Sequence, residues 1–196
     1  MTPEQREIQR VCRAFAANEI RPLSLAVDAA DGGHPAALWE AAAGLGLTSF
    51  MLPEAYGGGG MTDCLTGCIV QEELSHGCAG LGNLITSNGF FAEPVLALGT
   101  PEQCERWVRP LTRAVPPLTA LATTEPEAGS DAAAIRTTAR RTDRGYVLSG
   151  QKAWISNGGI ADFYVVFATV APGSRSSTKA VMPREREPGA TVAKTT

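Results

Sequence analysis

Trp154 and Ser156 stand two residues apart in Gln151-Lys152-Ala153-Trp154-Ile155-Ser156-Asn157-Gly158-Gly159. On a strand that spacing puts an aromatic ring and a hydroxyl on one face. Such a face can stack a flat ring on the indole and hydrogen-bond the ring's edge through the hydroxyl. A second cluster lies upstream, in Leu121-Ala122-Thr123-Thr124-Glu125-Pro126-Glu127-Ala128-Gly129-Ser130-Asp131. A strand here delivers Thr123 and Thr124, and Pro126 stops it. Gly129 permits close backbone approach, and Ser130-Asp131 can cap a following turn. Hydroxyls and free N–H groups gathered at a strand end suit an acceptor-rich planar ligand or a carbonyl. Composition alone leaves two plainer readings open: an ordinary capped turn, and a core Trp beside a Gly-Gly turn.

Other groups carry weaker signals. Gly57 to Gly60 form a glycine run, but no strand leads into it. Neither the Lys-Ser/Thr of a phosphate loop nor a Gly-x-Gly-x-x-Gly spacing follows, so it reads as a flexible turn. His34 lies in a glycine-rich hinge and His76 at a helix end, where histidines cap or face solvent. Glu72 and Glu73 read as a solvated helix face. The five cysteines, Cys12, Cys64, Cys68, Cys78 and Cys104, fall on predicted helices and are expected to be reduced core residues. Cys64 and Cys68 share a helix face, but only His76 is near enough in sequence to be a third ligand, so no metal site is expected. No Ser/His/Asp arrangement or spaced acid pair marks a catalytic group.

The elements that must position these residues change character midway. Thr2-Pro3-Glu4-Gln5 reads as a capped helix start, and Ile8, Val11, Cys12 and Phe15 form its apolar stripe. Pro22 ends or interrupts this helix, and a polar hinge runs from Asp28 to Pro35 around Gly32-Gly33. A second helix spans 35–45 with Leu38, Trp39, Ala42 and Leu45 inward. Thr62 or Asp63 caps a third that runs to about Ser75. A fourth, imperfect at Gly89 and Pro94, covers about 79–98. Thr100-Pro101-Glu102-Gln103 repeats the first start signal and opens a short helix with Cys104, Trp107, Val108 and Leu111 inward. After Pro116-Pro117 the texture is Thr, Val and Tyr in short runs between Gly and Pro, which predicts strands at about 118–124, 136–142, 145–149, 152–156, 162–169 and 178–182. Asp143-Arg144-Gly145 is a hairpin turn. The predicted class is α+β: an all-α domain over 1–116, then a partial antiparallel β-barrel or sandwich over 117–196.

The whole composition fits a globular chain of 196 residues with 44% hydrophobic content and a net charge of 17 − 20 = −3. Mild acidity argues against a nucleic-acid partner. No apolar run approaches the length of a membrane span, and the N-terminus has no signal or transit pattern, so a cytoplasmic protein is expected.

The two chemistry-bearing segments together resemble the acyl-CoA dehydrogenase family. Thr124-Glu125-Pro126-Glu127-Ala128-Gly129-Ser130-Asp131 is similar to its signature, and 150–159 to its second flavin segment at the expected separation. Phe15 to Pro22, Leu52-Pro53-Glu54-Ala55-Tyr56-Gly57-Gly58 and Glu72-Glu73-Leu74-Ser75 match in order. The resemblance covers nearly all of the sequence. It implies FAD as cofactor and an acyl-CoA or acyl-carrier thioester as substrate. By position, Leu121, Thr123 and Thr124 would line the flavin, with Thr124 bonding the pyrimidine side. Trp154 would pack on the isoalloxazine, Ser156 would bond its N5/O4 edge, and Ser130 would contact the thioester or its CoA phosphates. It also implies a C-terminal helical bundle that carries the glutamate base, and no residue here takes that role. The expectation is a desaturating flavoprotein that needs a C-terminal half, either as part of a longer enzyme or as a separate partner; a homo-oligomer and an electron-transfer flavoprotein are the other expected partners. The alternatives are a flavin monooxygenase on the same fold and a non-catalytic remnant or interaction subunit.

Overall fold

The computed structural model describes residues 1–30, 34–143, 145–170 and 177–183. The chain divides into two compact units, Met1–Pro117 and Leu118–Thr196.

In the first unit, α1 (Pro3–Phe15) begins at a complete capping box: Thr2 Oγ1 accepts from the Gln5 N–H, and the Gln5 side chain accepts from the Thr2 N–H. Ile8, Cys12 and Phe15 are buried. Pro22 does not end this helical run. A π-turn over Ala16–Ile20 passes the chain directly into α2 (Arg21–Ala29), with Pro22 in its first turn. The wider turn keeps Phe15 and Ile20, five residues apart, both in the core. Part of the expected hinge, residues 31–33, lies outside the described residues.

α3 (Ala36–Gly44) buries Leu38, Trp39 and Ala42, and the Trp39 indole N–H donates to the Pro116 carbonyl at 2.9 Å. Leu45, expected inward, is 55% exposed because the helix has closed by then and the chain turns at Gly46, φ +74°. The glycine run packs back on itself: a Cβ on Gly58 would sit 2.2 Å from the Leu52 carbonyl oxygen. Asp63 caps α4 (Cys64–Gly77), α5 spans Ala79–Leu98 without a break at Pro94, and Thr100 caps α6 (Pro101–Trp107) with a second capping box.

Two expectations on α4 are overturned. Cys64 and Cys68 are exposed, on the face turned from the core, while Cys12 and Cys104 are buried as expected. Glu73 is buried, its carboxylate held by the Arg13 guanidinium at 2.5 and 2.9 Å and by the Gln9 amide at 2.8 Å. The Arg13 hydrogen bond holds its pKa below the usual glutamate range against the opposing effect of burial. Replacing Glu73 with Leu should weaken the helical unit by about 1–3 kcal/mol, since Gln9 and Arg13 lose their shared acceptor. Thermal denaturation followed at 222 nm reads this; an unchanged midpoint would show the α1–α4 contact to be held by apolar packing alone.

In the second unit β1 (Thr119–Ala122), β2 (Thr138–Thr142), β3 (Gly145–Ser149), β4 (Phe163–Thr169) and β5 (Ser177–Pro183) form one sheet. The order helices-then-strands is as predicted, but the sheet is mixed. β1 runs parallel to β4 from Thr119 opposite Phe163 to Ala122 opposite Val166. β2 meets β4 parallel only at Thr138 opposite Thr169, and β3 and β5 are antiparallel to their partners. β1 and β2 thus share one edge of β4 and β5 takes the other, which fits the near-continuous apolar run of β4. The hairpin joins Thr142 to Gly145 as expected, with Arg144 outside the described residues. Among the described residues no helix is long and apolar enough to cross a membrane.

Gly150 is where backbone freedom matters. Its φ is +152°, and a Cβ there would lie 2.5 Å from Thr137 Oγ1 and 2.6 Å from Thr137 Cα. Gly150→Ala should therefore destabilise the β unit by about 3 kcal/mol through strain and overpacking together. Urea unfolding of the variant checks it; a loss below about 1 kcal/mol would mean that Thr137 can yield.

Candidate functional site

The segment predicted as a strand over 152–156 is irregular. Trp154 has φ +58° and Asn157 φ +62°, left-handed conformations that break the alternation of a strand. The two-residue spacing therefore does not put Trp154 and Ser156 on one pleated face. The segment is instead tied along β1 at both ends. The Ala153 N–H donates to the Thr124 carbonyl at 2.9 Å, and the Asn157 side-chain amide donates to the Thr119 carbonyl at 2.8 Å. Between these ties Trp154 is 90% exposed, which removes the reading of it as a core residue.

β1 ends at Ala122, so Thr123 and Thr124 lie just past the strand, half-buried, with Leu121 half-buried within it. The turn that follows closes on itself: the Glu125 N–H donates to the Ala128 carbonyl at 2.9 Å and the Ala128 N–H returns to the Glu125 carbonyl at 3.2 Å. Gly129 and Ser130 are exposed. Among the described residues a Cβ on Gly129 would meet nothing within 4 Å, so the space beside it is open. Asp131 precedes a 3-10 turn, Ala132–Ala134, but its side chain makes no cap bond.

Two residues that the sequence reading passed over hold this arrangement together. Glu125 is 6% exposed. Its Oε2 accepts from the Arg136 N–H at 2.6 Å. Its Oε1 accepts from the Thr137 N–H at 2.9 Å, the Thr137 hydroxyl at 2.5 Å and Lys152 Nζ at 2.8 Å. Lys152 Nζ also donates to the Thr123 carbonyl at 2.8 Å. Burial alone would push the Glu125 carboxyl up; Lys152, the Thr137 hydroxyl and the two backbone N–H groups outweigh it and hold it at about 2. One carboxylate thus gathers three stretches of chain: the end of β1, the lead into β2, and the segment before Trp154. The available signal in the sequence was Lys152, the first lysine of the chain, and Glu125, the acid that directly follows the two threonines.

The sign of the pH response follows from that depressed value. Glu125 binds fewer protons folded than unfolded, so its contribution is complete above the ordinary glutamate range and is lost as pH falls toward 2. Wild-type stability should drop over that window more steeply than that of Glu125→Gln, which has no charge to lose. Parallel urea melts across the acid range decide this; equal slopes would mean that Glu125 is not the titrating group.

The donor set fits a flat, acceptor-bearing ring. An exposed indole offers a stacking face, threonine hydroxyls sit at the neighbouring strand end, and open space adjoins Gly129.

Residues 2–114 match the family model described as acyl-CoA dehydrogenase, N-terminal domain, and residues 120–196 match the acyl-CoA dehydrogenase middle domain. The chain is 40% identical over 169 residues to the mitochondrial short-chain specific acyl-CoA dehydrogenase of Bos taurus, covering 85% of this chain and 40% of that protein. It is 35% identical over 193 residues to benzylmalonyl-CoA dehydrogenase of Aromatoleum aromaticum, covering 98% and 50%. The structure resembles butyryl-CoA dehydrogenase of Megasphaera elsdenii with a TM-score of 0.82 at 30% identity, over 96% of this chain and 50% of that one. The chain spans half or less of the length of these relatives.

Proposed function

The chain belongs to the acyl-CoA dehydrogenase family, and on that premise we propose that it serves FAD-dependent α,β-desaturation of an acyl thioester carried on CoA or an acyl carrier. The observation that carries this reading is the exposed Trp154 held beside the hydroxyl-bearing end of β1. When bound, FAD supplies the acceptor for a hydride from the substrate's β carbon.

The residues of this chain hold the flavin and the thioester. Trp154 stacks against the flavin ring, and Leu121 and Thr123 line it. The Thr124 hydroxyl donates to the pyrimidine side and Ser156 to the N5/O4 edge, where negative charge grows during the reaction. Ser130, exposed beside the open space at Gly129, takes the thioester or its CoA phosphates. Proton removal belongs to a glutamate on a C-terminal helical bundle, supplied from further sequence or a partner chain. Electrons then leave to an electron-transfer flavoprotein.

The test is a titration of the purified chain with FAD, read by flavin absorbance and by quenching of flavin fluorescence. Saturable binding is expected, weakened by Thr124→Val. Adding a bundle in trans should raise affinity and permit butyryl-CoA oxidation with an artificial electron acceptor. Absence of flavin binding under both conditions would overturn the proposal and favour the interaction-subunit reading.

A further inference from the structure

Trp154 combines three properties that rarely coincide: a bulky side chain, a left-handed backbone and 90% exposure. Nothing local rewards that conformation, so the surrounding structure must impose it. The restraints are on the page. Ala153 is tied to Thr124, and Asn157 to Thr119. Immediately upstream, Lys152 reaches in to the Thr123 carbonyl and to Glu125, with its own side chain only 12% exposed. Glu125 is in turn fixed by Arg136 and Thr137. Besides each other, the two side chains bond main-chain groups at Thr123, Arg136 and Thr137, the backbone beside the exposed indole.

We propose that Lys152 and Glu125 are positioning residues: a buried latch that holds the Trp154 turn in its left-handed form against the end of β1, so that the indole and the Thr124 hydroxyl are set at fixed spacing before any flavin arrives. This rests on the flavin reading only for its purpose; the latch itself is a property of the free chain. Pre-organising a stacking residue reduces the ordering cost that a ligand must otherwise meet on binding.

The experiment compares wild type, Lys152→Met, Lys152→Arg and the charge-balanced pair Lys152→Met/Glu125→Gln. The last keeps an amide oxygen as acceptor for Thr137, gives up the Arg136 bond, and leaves no unpaired buried charge. Two readouts need no ligand: amide exchange at Ala153, and the fast local component of Trp154 fluorescence anisotropy, isolated by difference against Trp154→Phe. Loss of Lys152 should speed Ala153 exchange tenfold or more and raise the fast component, with β4 amides unchanged in the double variant. Lys152→Arg should restore part of both. A third readout is FAD affinity, expected to fall tenfold or more in the double variant. Unchanged Ala153 exchange and anisotropy in the double variant would overturn the latch. Faster exchange with wild-type FAD affinity would overturn its positioning role. If wild type binds no FAD, the function proposed above fails, and the two ligand-free readouts still decide the latch.

Discussion

Truncating Glu125 to Ala should cost the β unit about 3–5 kcal/mol, the range for leaving one member of a buried ion pair without its partner. The loss is not confined to one bond. Lys152 Nζ keeps only the Thr123 carbonyl, and the Thr137 hydroxyl and the N–H groups of Arg136 and Thr137 lose their acceptor within the fold. Because several percent of exposure is all that solvent has at this carboxylate, water replaces those bonds poorly. Amide exchange of β4, which lies in the centre of the sheet, reports on this unit separately from the helical one. Protection there should collapse in Glu125→Ala and fall less in Glu125→Gln, whose one amide oxygen can still accept from Thr137 and Lys152 although the charge and the Arg136 bond are lost. Equal protection in Glu125→Ala and wild type would show that sheet pairing alone suffices.

Trp154→Gly should act in opposite directions on stability and on binding. Glycine enters φ +58° freely, which relieves about 1–3 kcal/mol of backbone strain. Its greater flexibility in the unfolded chain returns about 0.5–1 kcal/mol of that. A net gain near 1 kcal/mol is therefore expected, together with removal of a large exposed apolar surface. Flavin affinity should fall at least a hundredfold, since burial of an indole against a flat ring contributes about 3 kcal/mol. A urea melt paired with an FAD titration reads both quantities. A variant that is less stable, or that binds FAD as well as wild type, would mean that the conformation of Trp154 serves something other than ring stacking.

What the sequence revealed of this fold was mostly local. Thr2 with Gln5 and Thr100 with Gln103 announce helix starts because both halves of each capping box lie within four residues. The apolar run of β4 announces a covered strand for the same reason. Long-range partners were not legible. Glu73 looked solvated because Arg13 and Gln9, which draw it inward, stand some 60 residues earlier on another helix. Glu125 was passed over because its partners come 11 to 27 residues later and from two different stretches. The segment over 152–156 has the β-branched and aromatic content of a strand, and only the tertiary ties to Thr124 and Thr119 bend it into left-handed turns. Parallel pairing of β1 with β4 is likewise set by topology rather than by either strand's own residues. The clusters of hydroxyl and aromatic groups were visible in the sequence; the Lys152–Glu125 frame beneath them was not.

The π-turn at Ala16–Ile20 has a consequence for how this chain can change length. It holds one residue more per turn than the helices on either side. Across it, α4 comes so close that a Cβ on Gly77 would lie 2.9 Å from both the Ala16 carbonyl oxygen and Ile20 Cβ. Deleting one residue here would set Phe15 and Ile20 four apart, the spacing that shares one face of a regular helix, so both would stay in the core. The turn is thus a one-residue insertion that the helical run could lose without turning its apolar side outward.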